Sequence, residues 1–209
     1  TEGDTQSEWG ARWVIDATGR ESLIAKAEDL RVRETDHRIA AAWGRFRGVN
    51  DIDDPTQFSP EAPDVGHEWR RRSRFTSRAL STNHFMYPGY WIWLIPLRDG
   101  ITSIGLVRER ASWSPAFHKP EGFLAALHEH RALRELVPED VETLDLEAFT
   151  QLAFRTKRFF DGSGRWACIG DAAAFTDPFY SPGSDFIALE NDYVTDLVQK
   201  DLAGEDVGE

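Results

Sequence analysis

The sequence predicts an α/β fold carrying an α+β insertion, and two observations support most of that reading. Near each end an apolar run stops at an aspartate with small neighbours and passes into a helical pattern, "WVIDATGRES" early and "WACIGDAAAF" late. Between them, from about residue 37 to 110, apolar and polar residues alternate with the period of two expected of an antiparallel sheet. Segments 1–30 and 161–209 therefore read as parts of one domain, and 31–160 as a β-rich domain inserted into it. At 209 residues, 41% apolar and 29% charged, the chain is long enough to bury a core, and it contains no apolar run of the length that spans a bilayer.

Taken in order, "RWVI" (12–15) predicts a short buried strand whose tip carries Asp16, Ala17, Thr18 and Gly19, followed by a turn or two of helix over Ser22 to Ala27. The polar stretch before it lacks a basic segment followed by an apolar one, so it is not a signal peptide. It reads instead as the continuation of a sheet whose earlier elements lie upstream. "AAWGRFRGV", "RFTSRALSTNHFMY", "YWIWLIPL" and "ITSIGLV" follow as strands, the last two joined by a tight turn at Arg98-Asp99-Gly100. Residues 50–66, with three prolines and clustered acids, predict an exposed loop. Residues 121–137 set Phe123, Leu124, Leu127, Leu133, Leu136 and Val137 among charged neighbours, which predicts one amphipathic helix stopped by Pro138. "AFTQLAFRTKRFF" (148–160) returns to strand, Asp161 to Gly164 turn the chain, and "DFIALENDYVTDLVQKDL" closes it as a helix.

The chemistry gathers at the strand tips, where α/β proteins present free backbone groups. Gly170 lets a ligand approach the backbone, and the Asp171 carboxylate accepts hydrogen bonds from hydroxyls such as those of a ribityl chain. Downstream, Pro178 fixes one wall. Gly183 and Ser184 stand at a helix start, whose N–H groups and dipole suit a carbonyl or an anionic ring oxygen. The residues alone leave a second reading open, in which Asp171 and Ser184 cap helices and the prolines shape loops. Gly162-Ser163-Gly164-Arg165-Trp166-Ala167 matches a dinucleotide-loop pattern in letters, but it opens a strand instead of a helix and reads as a turn.

"VIDATGRES" and "CIGDAAAFTDPFYSPG" together resemble the second and third signature segments of FAD-dependent monooxygenases of the aromatic-hydroxylase fold. "WIWLIP" (91–96) resembles the W-x-W-x-I-P pattern of the flavin-dependent halogenases that share that fold. The resemblance implies an FAD-binding domain at 1–30 and 161–209, interrupted by an antiparallel β-sheet substrate domain at 31–160. It implies that Asp171 contacts the ribityl hydroxyls and that the segment from Asp177 through Pro178 and Pro182 to Ser184 lies along the isoalloxazine ring. Asp16, Ala17, Thr18 and Gly19 would lie near the cofactor. Trp91 and Trp93, which alternate and so share a strand face, would wall the substrate side; spacing alone also allows an aromatic core stripe. Asn83, His84 and Phe85 are further pocket candidates. The implied activity is oxidation through a flavin C4a-hydroperoxide, with FAD reduced by a separate flavin reductase or by NAD(P)H, and the outcome is halogenation or hydroxylation of an electron-rich substrate. That substrate is either a small molecule or one tethered to a carrier protein.

Two departures from the halogenase pattern stand out. Its halide turn corresponds to Ser181-Pro182-Gly183, and proline has no N–H to offer chloride or bromide. The family's catalytic lysine and pyrophosphate loop belong to segments expected before Thr1, and neither Lys26 nor Lys119 stands in a matching context. Alternatives are a flavin-dependent dehydrogenase or reductase of the same fold, or a binding module that kept the fold and lost the cofactor. The net charge of -12 argues against a nucleic-acid partner. A single cysteine, Cys168, inside an apolar strand predicts core packing and a reducing cytoplasm. His128 and His130 show no metal-ligand spacing, so no metal is expected. The arginine-rich stretch 68–78 is either a solvated strand face or a dock for an anionic substrate or an acidic carrier.

Overall fold

A computed structural model of the chain describes residues 7–53 and 77–208. Most of the predicted loop 50–66 and of the arginine stretch 68–78 lies outside the described residues. In chain order the strands are β1 (Val14–Asp16), β2 (Arg31–Arg33), β3 (Ile39–Arg47), β4 (Asn83–Tyr87), β5 (Tyr90–Pro96), β6 (Ile101–Glu109), β7 (Glu142–Phe149), β8 (Phe154–Thr156), β9 (Phe160–Asp161), β10 (Trp166–Cys168) and β11 (Ala174–Phe175). The helices are α1 (Leu23–Ala27), α2 (Pro120–His128), α3 (Arg131–Leu136) and α4 (Pro182–Ala203). No helix among the described residues is long and apolar enough to cross a membrane.

The chain divides into two compact units, Thr1–His37 with Ala153–Glu209, and Arg38–Leu152. The boundaries fall at 37/38 and 152/153 because β2 and β8 pair with each other, Arg33 opposite Phe154, and so stay together in the outer unit. In that unit β1 runs parallel to β10, which runs antiparallel to β9, while β11, β8 and β2 make a second antiparallel sheet. Helix α4 is tied to the first sheet near its C-terminal end. The Asp201 carboxylate accepts from Arg12 Nε (2.7 Å), Trp13 Nε1 (2.9 Å) and Arg165 Nε (3.2 Å). Those donors hold its pKa down at about 2. The helix ends at Gly204, whose left-handed φ of +85° lets the Gly204 and Glu205 amides return to Asp201 and Lys200 carbonyls.

The inserted unit is a five-stranded antiparallel sheet, order β4-β5-β6-β3-β7, with α2 and α3 packed on one face. The β5–β6 hairpin turns at Asp99 and Gly100, both at positive φ (61° and 67°), the backbone that a two-residue hairpin of this hand requires. Its core sets Phe46, Ile92, Leu94, Ile104 and Leu106 of the sheet against Phe123, Leu127, Leu133 and Leu136, with Phe46 and Phe123 stacked at 5.6 Å. Each of these side chains is essentially fully buried, worth about 1.5–3 kcal/mol apiece relative to exposure.

Three expectations need correcting. The single helix at 121–137 is two, broken where His130 takes an extended conformation (φ −102°, ψ 125°). A continuous helix would carry His130, Arg131 and Arg134 round beneath Leu127 toward the sheet; the break resets the phase and returns Leu133 and Leu136 to the core. The strand expected at 148–160 is three pieces, the first of which, β7, already starts at Glu142. Its acidic residues hid it, yet they are paired across the ladder: Asp145 with Arg45, and Glu142 with Arg47. In the segment 74–87, Arg78–Leu80 forms a 3-10 turn and the strand begins only at Asn83.

Candidate cofactor site

The two aspartates at the strand tips do different work. Asp16 is buried, and its carboxylate accepts from the Thr18 N–H (3.0 Å), the Thr18 hydroxyl (2.6 Å) and the Ile24 N–H (2.7 Å). Burial alone would raise its pKa, but these donors outweigh burial and hold it below the ordinary value. Its lone pairs are spent on closing the Ala17–Gly19 turn and starting α1, so this carboxylate does not face a ligand. Thr18 likewise turns its hydroxyl inward, which leaves Ala17 and Gly19 to present backbone.

Asp171 is the converse. It follows Gly170, which sits at φ +59°, in a 3-10 turn at the end of β10. Its carboxylate accepts no hydrogen bond from any other described residue. Partial burial raises its pKa, against the opposing pull of the Arg20 guanidinium. Arg20 belongs to the 3-10 turn Gly19–Glu21, which packs beside Gly170–Ala172, so the two strand tips are neighbours. Arg20 is itself held over the Phe154 and Phe175 rings, at 4.8 and 5.3 Å from their centroids.

Asp171 opens onto a cleft of about 250 Å3. Of the residues singled out in the sequence, Gly170, Asp171, Pro178, Gly183 and Ser184 line it; Pro182 and the Asp16–Gly19 turn do not. Sequence reasoning missed Phe175, Ile187 and Glu190, which complete the wall. The signal for the last two was helical spacing: Gly183, Ile187 and Glu190 fall at i, i+4 and i+7 on one face of α4.

The chain enters α4 through a strained turn, with Tyr180 and Ser181 both left-handed at φ 59° and 55°. Ser181 N–H donates to the Pro178 carbonyl (2.8 Å) and Ser184 N–H to the Ser181 carbonyl (3.3 Å), while Pro182 has no N–H. Of the four residues Ser181 to Ser184, Gly183 thus holds the amide left for a ligand, in the first turn of a 22-residue helix. Neither Asp171 nor Ser184 makes a side-chain cap, which removes the capping reading.

In the inserted unit, Trp91 and Trp93 do share a face, and it is the one opposite α2 and α3: the core takes Ile92 and Leu94 instead. Their rings lie 5.5 Å apart, and Trp93 spans Gly105 and donates Nε1–H to Ser103 Oγ (3.1 Å). His84 joins this face, its ring 5.5 Å from Trp91, and burial lowers its pKa. Trp43 and Phe149, stacked at 5.5 Å, extend the same face and were not picked out from the sequence. Two pocket candidates are corrected. Phe85 packs against the core, and Asn83 uses its amide on the Arg78 and Ser81 carbonyls; strand alternation puts both on the other face.

No protein-family model matches the chain. Solved structures do: the crystal structure of the halogenase PltM aligns with a TM-score of 0.76 at 19% identity, over 97% of this chain and 40% of that one. A PltM variant in complex with FAD aligns with a TM-score of 0.78 at 18% identity, with the same coverage of both chains. The fold is therefore the FAD-binding, aromatic-hydroxylase type.

Sequence matches narrow this further. The flavin-dependent halogenase chlA of Dictyostelium discoideum is 30% identical over 198 residues, 91% of this chain and 30% of that protein. The 1H-pyrrole-2-carbonyl-(peptidyl-carrier protein) brominase of Pseudoalteromonas luteoviolacea is 26% identical over 207 residues, 97% of this chain and 45% of that enzyme. Over most of its own length the chain is thus similar to flavin-dependent halogenases, and it spans less than half the length of these two relatives.

Proposed function

We propose that this chain forms the ribityl- and ring-binding part of an FAD-dependent oxidoreductase, halogenase-like or monooxygenase, that acts on an electron-rich organic substrate. The observation that carries the reading is Asp171: a half-buried carboxylate with no hydrogen-bond donor among the described residues, set on a left-handed glycine at a strand tip and opening onto a cleft. Its oxygens remain open to solvent, so a ligand hydroxyl can replace water there without displacing any protein donor. A ribityl chain offers hydroxyls at the right scale. The cleft, at about 250 Å3, falls below the roughly 300–1,000 Å3 of sites that enclose a whole ligand, and so suits one stretch of an extended cofactor.

In this reading Asp171 accepts from ribityl hydroxyls. The Gly183 N–H, at the positive end of α4, faces a ring carbonyl or a negatively charged ring oxygen, and Pro178, Phe175 and Ile187 supply apolar contact and keep water out. FAD, once reduced by a flavin reductase or NAD(P)H, supplies the activation of dioxygen; the protein's part is to hold, orient and desolvate. Trp93 and His84, backed by the buried Trp91, form an aromatic wall suited to a flat substrate, whether a small molecule or one carried on a carrier protein as in the pyrrole brominase relative. Chloride or bromide would meet only the Gly183 amide of the turn, which supports a weak halide site and keeps hydroxylation open as the outcome.

Titration with FAD, followed by absorbance near about 450 nm, tests the assignment. The wild type should saturate near one FAD per chain. Asp171→Ala should weaken binding by about 10- to 100-fold, the range for one lost hydrogen bond to a charged group. A wild type that carries no flavin absorbance after gel filtration from high FAD sinks the reading.

A further inference from the structure

Glu190 sits on α4 with its Oε2 accepting a 2.5 Å hydrogen bond from the Gly170 backbone N–H. It lies between two hollows, the cleft that Asp171 faces and a more apolar groove of about 490 Å3 lined by Phe159, Phe160, Phe186, Leu189 and Tyr193 among others. A half-buried carboxylate next to another is electrostatically unfavourable, and the attachment of α4 to the sheet already rests on the Asp201 cluster. Gly170 is the residue that Glu190 holds, through the Gly170 N–H, while Ile187 one turn earlier on α4 lies against the same glycine. The left-handed Gly170 immediately precedes Asp171, so whatever fixes its peptide planes fixes the direction in which Asp171 leaves the backbone.

We infer that Glu190 is a positioning residue for the cofactor: by holding the Gly170 amide, it aims the Asp171 carboxylate into the cleft. This inference rests on reading that cleft as the FAD site. The titratable and charged groups around Glu190 are Asp171 and Arg20 on the two 3-10 turns, Cys168 on β10, Asp177 before α4, and Tyr193 and Asp196 on α4 itself. Burial raises the Glu190 pKa, and the charge on Asp171 raises it further, against the opposing Gly170 hydrogen bond. Deprotonated Glu190 makes the stronger, charge-assisted bond to Gly170, so the hold on Asp171 slackens as pH falls through the raised Glu190 pKa.

The test is FAD affinity between pH 5 and 8 for the wild type, Glu190→Gln and Glu190→Ala in the full-length natural protein. Alanine removes the acceptor and should weaken binding by about 10-fold or more at every pH. Glutamine keeps a neutral acceptor; it should bind within about 3-fold of wild type at pH 7, and its loss of affinity on acidification should be shallower, because of the two carboxylates only Asp171 then titrates. The inference is overturned if alanine binds FAD like wild type, or if the glutamine variant follows the wild-type pH profile. Should circular dichroism show the alanine variant unfolded, the glutamine profile decides alone. A wild type that binds no FAD overturns the flavin reading and this inference with it, whereas tight wild-type binding with indifferent variants overturns the inference alone.

Discussion

Replacing Gly105 with alanine should dislodge Trp93 from the aromatic face. A Cβ at this position would fall within 3.0 Å of three indole atoms, Cε2, Cζ2 and Cη2. Non-bonded carbons settle at about 3.5–4.0 Å, so the ring must retreat by roughly 1.5 Å or rotate away. Either movement breaks its hydrogen bond to Ser103 Oγ, worth about 1 kcal/mol, and the crowding adds about 1–3 kcal/mol. The sum, about 2–4 kcal/mol, should lower the urea midpoint by about 1–2 M at unchanged slope. With eight tryptophans in the chain, total emission would blur the effect, so near-UV circular dichroism of G105A against a W93F reference is the cleaner readout. The double variant should be less destabilised than the sum of the singles, because a smaller ring leaves room for the methyl group. A midpoint within about 0.2 M of wild type, with the aromatic dichroism intact, would show that Trp93 does not depend on the glycine beneath it.

Three further outcomes follow from the outer unit. Asp201, at a folded pKa of about 2 against an ordinary 3.8, contributes stability that is fully present above pH 4 and drains away as pH falls from there toward 2; Asp201→Asn should be destabilised at pH 7 and show a flatter acid limb in urea midpoints. Cys168 is buried and its thiol is pushed up to about 11, first by burial and then by the charge of Asp16, so maleimide at pH 7.5 should label the native protein at least about 100-fold more slowly than the urea-unfolded chain. Pro182→Ala adds an N–H to the turn where Gly183 now offers one alone; chloride binding, followed by titration of the FAD-loaded protein, should tighten by about 10-fold, and no change would mean that this turn does not read halide.

The parts of the molecule that were legible in the sequence are those governed by local rules. Asp99-Gly100 marked its hairpin because both residues must take positive φ, and alternation marked β5 and β6 because one face of each is buried in the unit's own core. Gly170-Asp171 marked the cleft only together with the family resemblance, because a carboxylate at a strand tip can equally close a turn, as Asp16 does. What stayed hidden depends on partners far along the chain. Strand β7 looked too acidic until Arg45 and Arg47 were placed opposite it. The phase break at His130 is intelligible only once a sheet lies beneath both short helices. Asp16 and Asp171 look alike as letters, and the difference lies in where the donors are: the loop after Asp16 bends back to supply three, and the turn at Asp171 supplies none.

The parallel pairing of β1 with β10 also sets a timetable for biosynthesis. Val14 leaves the ribosome about 150 residues before its ladder partner Trp166, an interval of roughly 10–30 s at about 5–20 residues per second. Throughout that time the ladder between Val14 and Trp166 cannot form, whereas β3 to β7 find all their described partners within the intervening stretch. Nascent chains should therefore pass through a species in which the β3–β7 sheet is organised before β1 and β10 have met, the stage at which a chaperone has most to protect.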